Sequence, residues 1–505
     1  MNDIEVRESI INQAGNIVVN ASAGSGKTSI MIEKIENILK NNTTHYTIAA
    51  TTFTNKASNE IKERLKKSGL GSILKNCFIG TNDSFAMDEI IRAFAKDVFE
   101  LDNKGQIESD YKLKFDKFED GLEILVQKLK VGGYKDNKKN FKFELALYIL
   151  KKSLASRRYL KSKYCNLFID EYQDCDIDMH KLYLYISKEL NINLFAVGDK
   201  KQSIYMWRGA DPKYFNELIE NNDFSTFKLN INFRSDKKIQ NYTNLFVDEY
   251  TEVYEDIETN DSVIFINTDY KQDLFKLLDI KSNIAFIVRS NQEAENICNI
   301  LNNMDESPKD FIYIPRTPLS KISSTSSWIG EIIIKIIFNT KYNEYGLKND
   351  LPLDVDIQYL KNIVTNLRSS DDEENIIKIS EEFYKIVGYE LDSQEKDAII
   401  ETIKDAKYKI AYEDVKYNHV VMTIHSSKGL EFDEVVLFAK NYNLSRSEDI
   451  NNHYVTITRA RSKLIIFYNN KNLESKKYTD TVDRIIKSKK ILNSETSKYM
   501  SIYNS

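Results

Sequence analysis

A glycine- and serine-rich segment near the amino terminus contains the residue types that bind a triphosphate. Residues 21–28 read ASAGSGKT, and a segment without bulky side chains at the start of a helix lets backbone N–H groups converge on phosphate oxygens. Lys27 would place its charge beside the β- and γ-phosphates, and Thr28 would offer its hydroxyl to Mg²⁺. An ordinary Gly/Ser turn is the competing interpretation. The predicted nucleotide-binding residues of this segment are Ala21, Ser22, Ala23, Gly24, Ser25, Gly26, Lys27, Thr28 and Ser29.

An acidic pair further along the chain could complete a metal and water site. Asp170 would hold Mg²⁺ through its water shell together with the Thr28 hydroxyl, while Glu171 would accept a proton from an attacking water. The competing interpretation is a solvated acidic turn, which is what most adjacent Asp and Glu residues form. The position of the pair downstream of the glycine-rich segment favours the catalytic interpretation.

Local sequence patterns predict the elements that would position both segments. Residues 16–20, NIVVN, indicate a short buried strand directly before the glycine-rich segment, and residues 29–39 place apolar side chains at helical spacing. Residues 164–169 form another apolar run that leads straight into Asp170. Strand, glycine-rich loop and helix in this order are the context that a P-loop requires.

Composition limits the class of protein. A chain of 505 residues is too long for one core, so roughly two to four domains are expected. With 42% hydrophobic and 29% charged residues, the composition is that of a folded protein. The 71 Lys and Arg residues against 76 Asp and Glu leave a formal charge of −5, which excludes a generally basic surface. Basic and aromatic groups could still line a single channel for nucleic acid.

Cysteine usage and the amino terminus favour a cytoplasmic protein. The four cysteines, at positions 77, 165, 175 and 298, are scattered and form no CxxC pair, so reduced thiols are expected rather than metal ligands. Residues 1–8 carry charges of both signs, and the apolar run after them is short. No signal peptide, membrane span or membrane partner is therefore predicted.

Further motifs surround the acidic pair and continue into the second half. Residues 50–57 read ATTFTNKA, with Glu60 and Arg64 beyond, residues 170–174 read DEYQD, and residues 197–210 read VGDKKQSIYMWRGA. LNINFRS follows at 229–235, TIHSSKGLEF at 423–432 and TRAR at 458–461. In this order they resemble the TFTNKA, DExQD, VGDxxQSIYxWRGA, LxxNYRS, TxHxxKGLEF and TRA motifs of the UvrD/Rep/PcrA family of superfamily 1 DNA helicases. The matching segments run from residue 16 to about residue 467.

The resemblance implies an α/β fold with two RecA-like P-loop NTPase domains and reduced, mainly helical accessory insertions, 1B and 2B. Nucleotide would be hydrolysed in the cleft between the RecA-like domains. The predicted division gives residues 1–83 and 165–228 to domain 1A, 84–164 to 1B, 229–341 and 419–505 to 2A, and 342–418 to the reduced 2B.

The resemblance also implies roles around the nucleotide. Gln202 would sense the γ-phosphate and couple it to the DNA-contacting residues that follow. Arg234 and Arg459 would approach from the second domain as arginine fingers, which in other phosphoryl-transfer enzymes contribute about 10³–10⁵ in rate. Phe233 would stack on the nucleotide base, and Glu431 would lie near the ribose or position Arg459. The predicted catalytic residues are Glu171, Gln202, Arg234 and Arg459.

A path for single-stranded DNA is implied as well. Aromatic rings suit a sequence-independent motor because every base has a π-face, worth about 1–3 kcal/mol per stacked base. Phe53 and Trp207 are the predicted stacking residues; the competing interpretation of Trp207 is a core residue. His425 would lie along the DNA rather than act as a catalytic base. The predicted DNA-binding residues are Thr52, Phe53, Asn55, Thr81, Tyr205, Trp207, Arg208 and His425.

Several positions depart from the family pattern. The Q-motif that reads adenine is unclear, since Gln13 lies close to the first strand and Ser29 stands where well-known relatives have Arg. The predicted cofactors are Mg²⁺ and ATP, and other NTPs and dNTPs could replace ATP as the substrate. Asp83, in GTNDS at residues 80–84, replaces a histidine, and a carboxylate beside a phosphate backbone would repel it.

The small size of the chain narrows the resemblance. A compact version of the family, with trimmed accessory domains and the P-loop very near the start, is similar to the helicase-like subunit of Gabija anti-phage defence systems. The resemblance implies a partner chain that is a nuclease with an ATPase domain, as well as DNA that is single-stranded or has exposed ends.

Two functional hypotheses follow. The leading one is a DNA-dependent ATPase and 3′–5′ DNA helicase or translocase within an antiviral defence complex. The alternative is an NTPase subunit that senses DNA ends or nucleotide and activates a partner nuclease, with little unwinding of its own. A P-loop kinase or metabolic ATPase would leave the QSIYMWRGA and TRA segments without a role.

Overall fold

The protein divides into two compact units in this computed structural model. The structure describes residues 3–101, 105–247, 254, 261–268, 273–322, 326–351, 355–413, 417–489, 491 and 493–503. The first unit comprises Met1–Val98, Asp136–Tyr313 and Tyr417–Ser505, and the second comprises Phe99–Lys135 and Ile314–Lys416.

The strands belong to two large sheets in the first unit and a two-stranded sheet in the second. They are β1 (Asn16–Ala21), β2 (Thr47–Thr52), β3 (Phe78–Thr81), β4 (Glu108–Phe115), β5 (Lys130–Tyr134), β6 (Tyr164–Ile169), β7 (Asn193–Gly198), β8 (Phe224–Leu229), β9 (Val263–Asn267), β10 (Ile284–Val288), β11 (Ile312–Tyr313), β12 (His419–Thr423), β13 (Phe432–Phe438), β14 (Ala460–Tyr468) and β15 (Ser501–Tyr503).

The helices surround these sheets. They are α1 (Asp3–Asn12), α2 (Lys27–Asn41), α3 (Asn55–Leu65), α4 (Asn82–Ser84), α5 (Arg92–Phe94), α6 (Phe118–Lys128), α7 (Phe141–Lys152), α8 (Leu154–Lys163), α9 (Ile177–Leu190), α10 (Lys213–Ile219), α11 (Lys237–Asn244), α12 (Leu274–Leu277), α13 (Asn291–Asn303), α14 (Ser327–Phe338), α15 (Glu344–Asp350), α16 (Ile357–Ser369), α17 (Glu373–Val387), α18 (Ser393–Lys404), α19 (Ile424–Ser427), α20 (Ser447–Ile457) and α21 (Leu473–Ser488).

The first large sheet has six parallel strands in the order β3-β2-β6-β7-β1-β8. Its central strands are short apolar runs, as expected for a parallel sheet covered on both faces. Ile17 and Val19 of β1 join Ile30 of α2 and Phe168 of β6 in one buried cluster. The carboxyl ends of these parallel strands share one edge, where ligands bind in open α/β sheets. The predicted motifs follow the strands at that edge.

The second large sheet has seven strands in the order β11-β12-β10-β13-β14-β9-β15, with every pairing parallel. Successive side chains of β13 point to opposite faces. Val435 and Leu437 belong to one buried cluster, whereas Val436 belongs to the other. Two parallel sheets with helices confirm the predicted α/β class.

The second compact unit is mainly helical. Its core collects apolar residues of α14, α16 and α17, such as Ile333, Leu360 and Phe383, and β4 and β5 form its small sheet. The accessory insertions are predicted at residues 84–164 and 342–418, whereas this unit takes 99–135 and 314–416. The division into four domains stays a prediction.

Two further expectations concern cysteines and membranes. All four cysteines are free thiols in the structure. Within the part of the chain that the structure describes, no helix is both long enough and apolar enough to cross a bilayer. The cytoplasmic location stays a prediction.

Candidate nucleotide site and nucleic-acid path

The glycine-rich loop joins β1 to α2, as the local pattern predicts. The loop turns sharply because Gly24 and Gly26 have φ values of 73° and 80°, a region that residues with a Cβ rarely adopt. The Ser25 hydroxyl donates to the Ser22 carbonyl at 2.7 Å, which stabilises the turn. The loop therefore leads into the amino terminus of α2, where unpaired N–H groups and the helix dipole favour an anion.

The predicted metal-binding pair, Thr28 and Asp170, lies beside this loop. The Thr28 hydroxyl donates to the Asp170 carboxylate across 3.2 Å, and the Asp170 N–H donates to the Thr51 carbonyl of β2 at 3.1 Å. Burial and the adjacent Glu171 carboxylate raise the pKa of Asp170 to about 7. Two oxygen ligands at this spacing, one of them a buried carboxyl group, fit a hard cation such as Mg²⁺.

Glu171 is held in a defined position next to the metal pair. Its backbone is left-handed, with φ 56°, and its carboxylate accepts a hydrogen bond from the Gln173 amide. Burial alone would raise the pKa of Glu171, but the ammonium groups of Lys428 and Lys27 outweigh burial and lower that pKa to about 2. The carboxylate is thus ionised but weakly basic, and withdrawal of Lys428 would make it a better proton acceptor.

Arg234, in the segment after β8, and Arg459, directly before β14 of the second sheet, lie close to the loop. Arg234 donates to the Thr458 carbonyl at 3.0 Å, and a Cβ added to Gly24 would come within 3.0 Å of the Arg234 Cβ. Arg459 is only 2% exposed and donates to the Leu430 carbonyl at 3.0 Å. Burial and the nearby Arg234 guanidinium lower the pKa of Arg459 to about 9. A polyphosphate would relieve the repulsion between these two cations, so the residues fit the predicted ligand.

Gln202 is buried beside the nucleotide residues. Its side-chain amide donates to the Asp199 carboxylate at 2.7 Å. The Asp199 N–H in turn donates to the Gln173 side chain at 3.0 Å. Gln202 therefore belongs to the same hydrogen-bonded group as Glu171, through Gln173. Its role as a γ-phosphate sensor stays a prediction.

Glu431 connects Arg234, in the segment after β8, to Arg461 of β14. Its carboxylate pairs with Arg234 at 2.6 Å and also contacts the Arg461 guanidinium. Arg459 makes its hydrogen bonds with backbone carbonyls and Thr458 instead. Glu431 is therefore placed to orient Arg234.

Phe233 lies at the mouth of the loop. Its ring is 66% exposed, and its N–H donates to the Gly24 carbonyl at 3.1 Å. The two positions that depart from the family pattern near the loop have other partners. Gln13 donates to the Ser225 hydroxyl of β8 at 3.0 Å, and Ser29 accepts a hydrogen bond from Arg64 at 3.0 Å.

The aromatic and basic residues after β7 form one group with His425. Tyr205 stacks on His425 with ring centroids 5.4 Å apart. The Arg208 guanidinium lies 5.0 Å from the Trp207 ring and 5.8 Å from the Tyr205 ring. Trp207 is 51% exposed, so it is not a core residue. A stacking surface next to a cation is what single-stranded nucleic acid requires.

The residues after β2 and β3 form a second group. Thr52 is buried and its hydroxyl donates to the Thr54 carbonyl at 2.9 Å. The Asn82 amide donates to the Thr52 carbonyl at 3.0 Å, and the Thr81 hydroxyl caps α4. Phe53 is partly exposed, and Asn55 is exposed at the start of α3. The Thr52 side chain thus stabilises the turn, which leaves Phe53 and Asn55 at the surface.

Asp83 carries a paired rather than an isolated charge. Its carboxylate accepts a hydrogen bond from the largely buried Lys142 ammonium of α7 at 2.8 Å. The repulsion expected between Asp83 and a phosphate backbone is therefore offset by a cation from a distant part of the sequence.

Comparison with known proteins shows the family of the chain. Residues 2–153 and 117–224 match the UvrD/REP helicase N-terminal domain, and residues 327–471 match the UvrD-like helicase C-terminal domain. The chain belongs to the UvrD-like helicases. Both large sheets of this UvrD-like helicase overlap the matched ranges.

Individual relatives differ in how much of their length is matched. This UvrD-like helicase is 41% identical to Gabija protein GajB of Bacillus cereus (strain VD045), over 96% of the chain and 99% of that protein. It is 30% identical to DNA helicase II of Rickettsia typhi over 46% of the chain, and 28% identical to ATP-dependent DNA helicase Rep of Escherichia coli over 48%. These last two matches span 42% of each relative.

Sequence reasoning on this UvrD-like helicase missed Lys428. Its ammonium group contacts the Asp174 carboxylate, lies 3.6 Å from Glu171 and donates to the Gln202 carbonyl at 3.0 Å. The signal was present, because Lys428 is the lysine of the TIHSSKGLEF segment that also contains His425. The segment after β12 thus connects the nucleotide residues to the stacked pair Tyr205 and His425.

Proposed function

We propose that the chain is a DNA-stimulated ATPase that translocates 3′ to 5′ along single-stranded DNA, using Mg²⁺-bound ATP or other NTPs and dNTPs. The observation that carries this proposal is the position of the segment containing His425 and Lys428. His425 stacks on Tyr205, and Lys428 lies beside the carboxylates of Glu171 and Asp174. Movement of a DNA base against His425 would therefore shift Lys428 and change the electrostatic environment of Glu171.

The proposed chemistry follows from the residues around the loop. Lys27 and the loop N–H groups would bind the phosphates, while Thr28 and Asp170 would hold Mg²⁺, which neutralises charge on the phosphates. Glu171 would accept a proton from the attacking water. Arg234 and Arg459 would neutralise charge that develops on the transferred phosphoryl group.

We further propose that the chain acts in antiviral defence with a nuclease partner of the GajA type. Support comes from the similarity to Gabija protein GajB, which extends over almost the whole of both chains. Under the alternative hypothesis, hydrolysis would report DNA ends or nucleotide to that partner without unwinding.

Hydrolysis by the purified full-length chain, measured without and with single-stranded DNA, tests the motor. We expect stimulation by DNA, and folded protein that hydrolyses ATP equally in both conditions would contradict the proposal. Duplexes with a 3′ or a 5′ tail then separate the hypotheses. Unwinding of the 3′-tailed duplex by the chain alone supports the helicase, whereas stimulated hydrolysis without unwinding supports the sensor.

Trp207→Ala should weaken binding of single-stranded DNA roughly 5- to 150-fold, the range that loss of one stacked base gives. Basal hydrolysis should change less than DNA-stimulated hydrolysis, because the ring lies outside the nucleotide residues. DNA binding is measured by fluorescence anisotropy and hydrolysis by phosphate release. Leu473→Ala, which shortens a side chain that is 67% exposed on α21, is the control. Equal loss of basal and stimulated hydrolysis in Trp207→Ala would mean that the ring serves packing.

A further inference from the structure

Arg7 of α1 lies against the nucleotide-binding loop although no predicted motif contains it. Its guanidinium donates to the Ser25 carbonyl and lies 5.5 Å from the centroid of the exposed Phe233 ring. A Cβ added to Gly26 would come within 3.4 Å of the same guanidinium. Arg7 therefore bridges the first sheet's loop and the aromatic ring contributed by the segment after β8.

The position of Arg7 is built into the fold. The Arg7 side chain is only 16% exposed and pairs with Asp3, one turn earlier in α1, at 2.7 Å. The Lys34 ammonium of α2 donates to the Ile11 carbonyl at 2.7 Å, and Asn37 donates to the same carbonyl at 3.1 Å. The end of α1 is thus fastened to the helix that begins at the loop, which holds Arg7 in register with that loop.

The other polar candidates for contact with a base, Gln13 and Ser29, have different partners. Gln13 fastens the end of α1 to β8 through Ser225, and Ser29 accepts its hydrogen bond from Arg64. Unlike Gln13 and Ser29, Arg7 contacts both the Ser25 carbonyl of the loop and the Phe233 ring. A guanidinium is planar, stacks on aromatic faces and donates to acceptor atoms in its own plane.

We propose that Arg7 is the positioning residue for the heteroaromatic base of the bound nucleotide. Its guanidinium keeps the Phe233 ring next to the loop and offers N–H donors to acceptor atoms on the base edge. The triphosphate itself is bound by Lys27 and the loop N–H groups, which Arg7 does not replace. This role rests on the proposed function, because it requires a nucleotide at the loop.

Direct binding to the full-length chain tests the role, with two ligands that differ in the base. The first is a non-hydrolysable ATP analogue, and the second is inorganic tripolyphosphate with Mg²⁺; both are titrated by calorimetry. Arg7→Ala and Arg7→Lys should each lower the affinity for the ATP analogue roughly three- to thirty-fold. The affinity for tripolyphosphate should change less than twofold. Arg7→Lys keeps the positive charge beside Ser25 but lacks the planar guanidinium, so it distinguishes loss of base contact from a folding defect. Arg92→Ala is the control, because Arg92 forms an ion pair of the same spacing with Asp88 at 2.6 Å, away from the loop.

The two ligands separate the two claims. Tripolyphosphate binding by the unsubstituted chain tests the phosphate site, and its absence would contradict the proposed function. The difference between the ligands in the variants tests Arg7. An equal loss of affinity for the analogue and for tripolyphosphate would overturn the assignment of Arg7 to the base. Unchanged affinity for the analogue in both variants would overturn it as well.

Discussion

The Glu171→Gln variant should bind nucleotide and hydrolyse it about 10²–10⁴-fold more slowly than the unsubstituted chain, the range that loss of a general base gives. Glutamine has nearly the same shape as glutamate, so it can keep the contact with Gln173, but its amide cannot take the proton of the attacking water. Asp174 remains to neutralise Lys428, so the buried ammonium is not left without a carboxylate. The fold should therefore be unchanged.

Steady-state hydrolysis with saturating single-stranded DNA measures the Glu171→Gln effect, and analogue binding confirms that the site is intact. Lys27→Ala, by contrast, should abolish hydrolysis through loss of phosphate binding. Glu63→Gln, on the exposed face of α3, is the control carboxylate. Turnover by Glu171→Gln within tenfold of the unsubstituted chain would show that another group activates the water.

Arg234→Ala should lower kcat by about 10³-fold or more, as loss of an arginine finger does in other phosphoryl-transfer enzymes. Arg234 lies on the loop side of Glu431, next to Gly24. The Arg234 side chain is 20% exposed, and its positive charge would have its largest effect when negative charge develops on the transferred phosphoryl group. The KM for ATP should change less than kcat, because the ground-state phosphates keep Lys27 and the loop N–H groups.

Arg461→Ala is the matched control for Arg234→Ala. Both arginines pair with the Glu431 carboxylate, but Arg461 lies on β14 with 46% of its side chain exposed. We expect Arg461→Ala to keep kcat within about threefold, as is usual for exposed ion pairs. Equal losses in the two variants would indicate that both act only through Glu431, and would remove Arg234 from the catalytic group.

Much of the nucleotide site could be predicted from local sequence. The strand, loop and helix around Gly24 and Gly26 are neighbours along the chain, and apolar periodicity identifies them. The Asp170–Glu171 pair follows a strand of the same parallel sheet, so its meeting with Thr28 at the carboxyl edge also follows from topology. The family pattern added Arg234 and Arg459, whose placement beside the loop no local rule could predict.

The tertiary structure alone decided which distant charges meet. Lys428 is 254 residues from Asp174, Lys142 is 59 residues from Asp83, and Arg7 is 18 residues from Ser25. Each pairing changes the chemistry expected from sequence: Glu171 becomes a weaker base, the Asp83 charge is offset, and Arg7 joins the nucleotide residues. Periodicity reports which face of an element is buried, but it carries no information on the side chain that a distant element brings to that face. The sequence by itself therefore determined the elements and the candidate phosphate and metal ligands, while packing of the elements determined the electrostatic environment of those candidate residues.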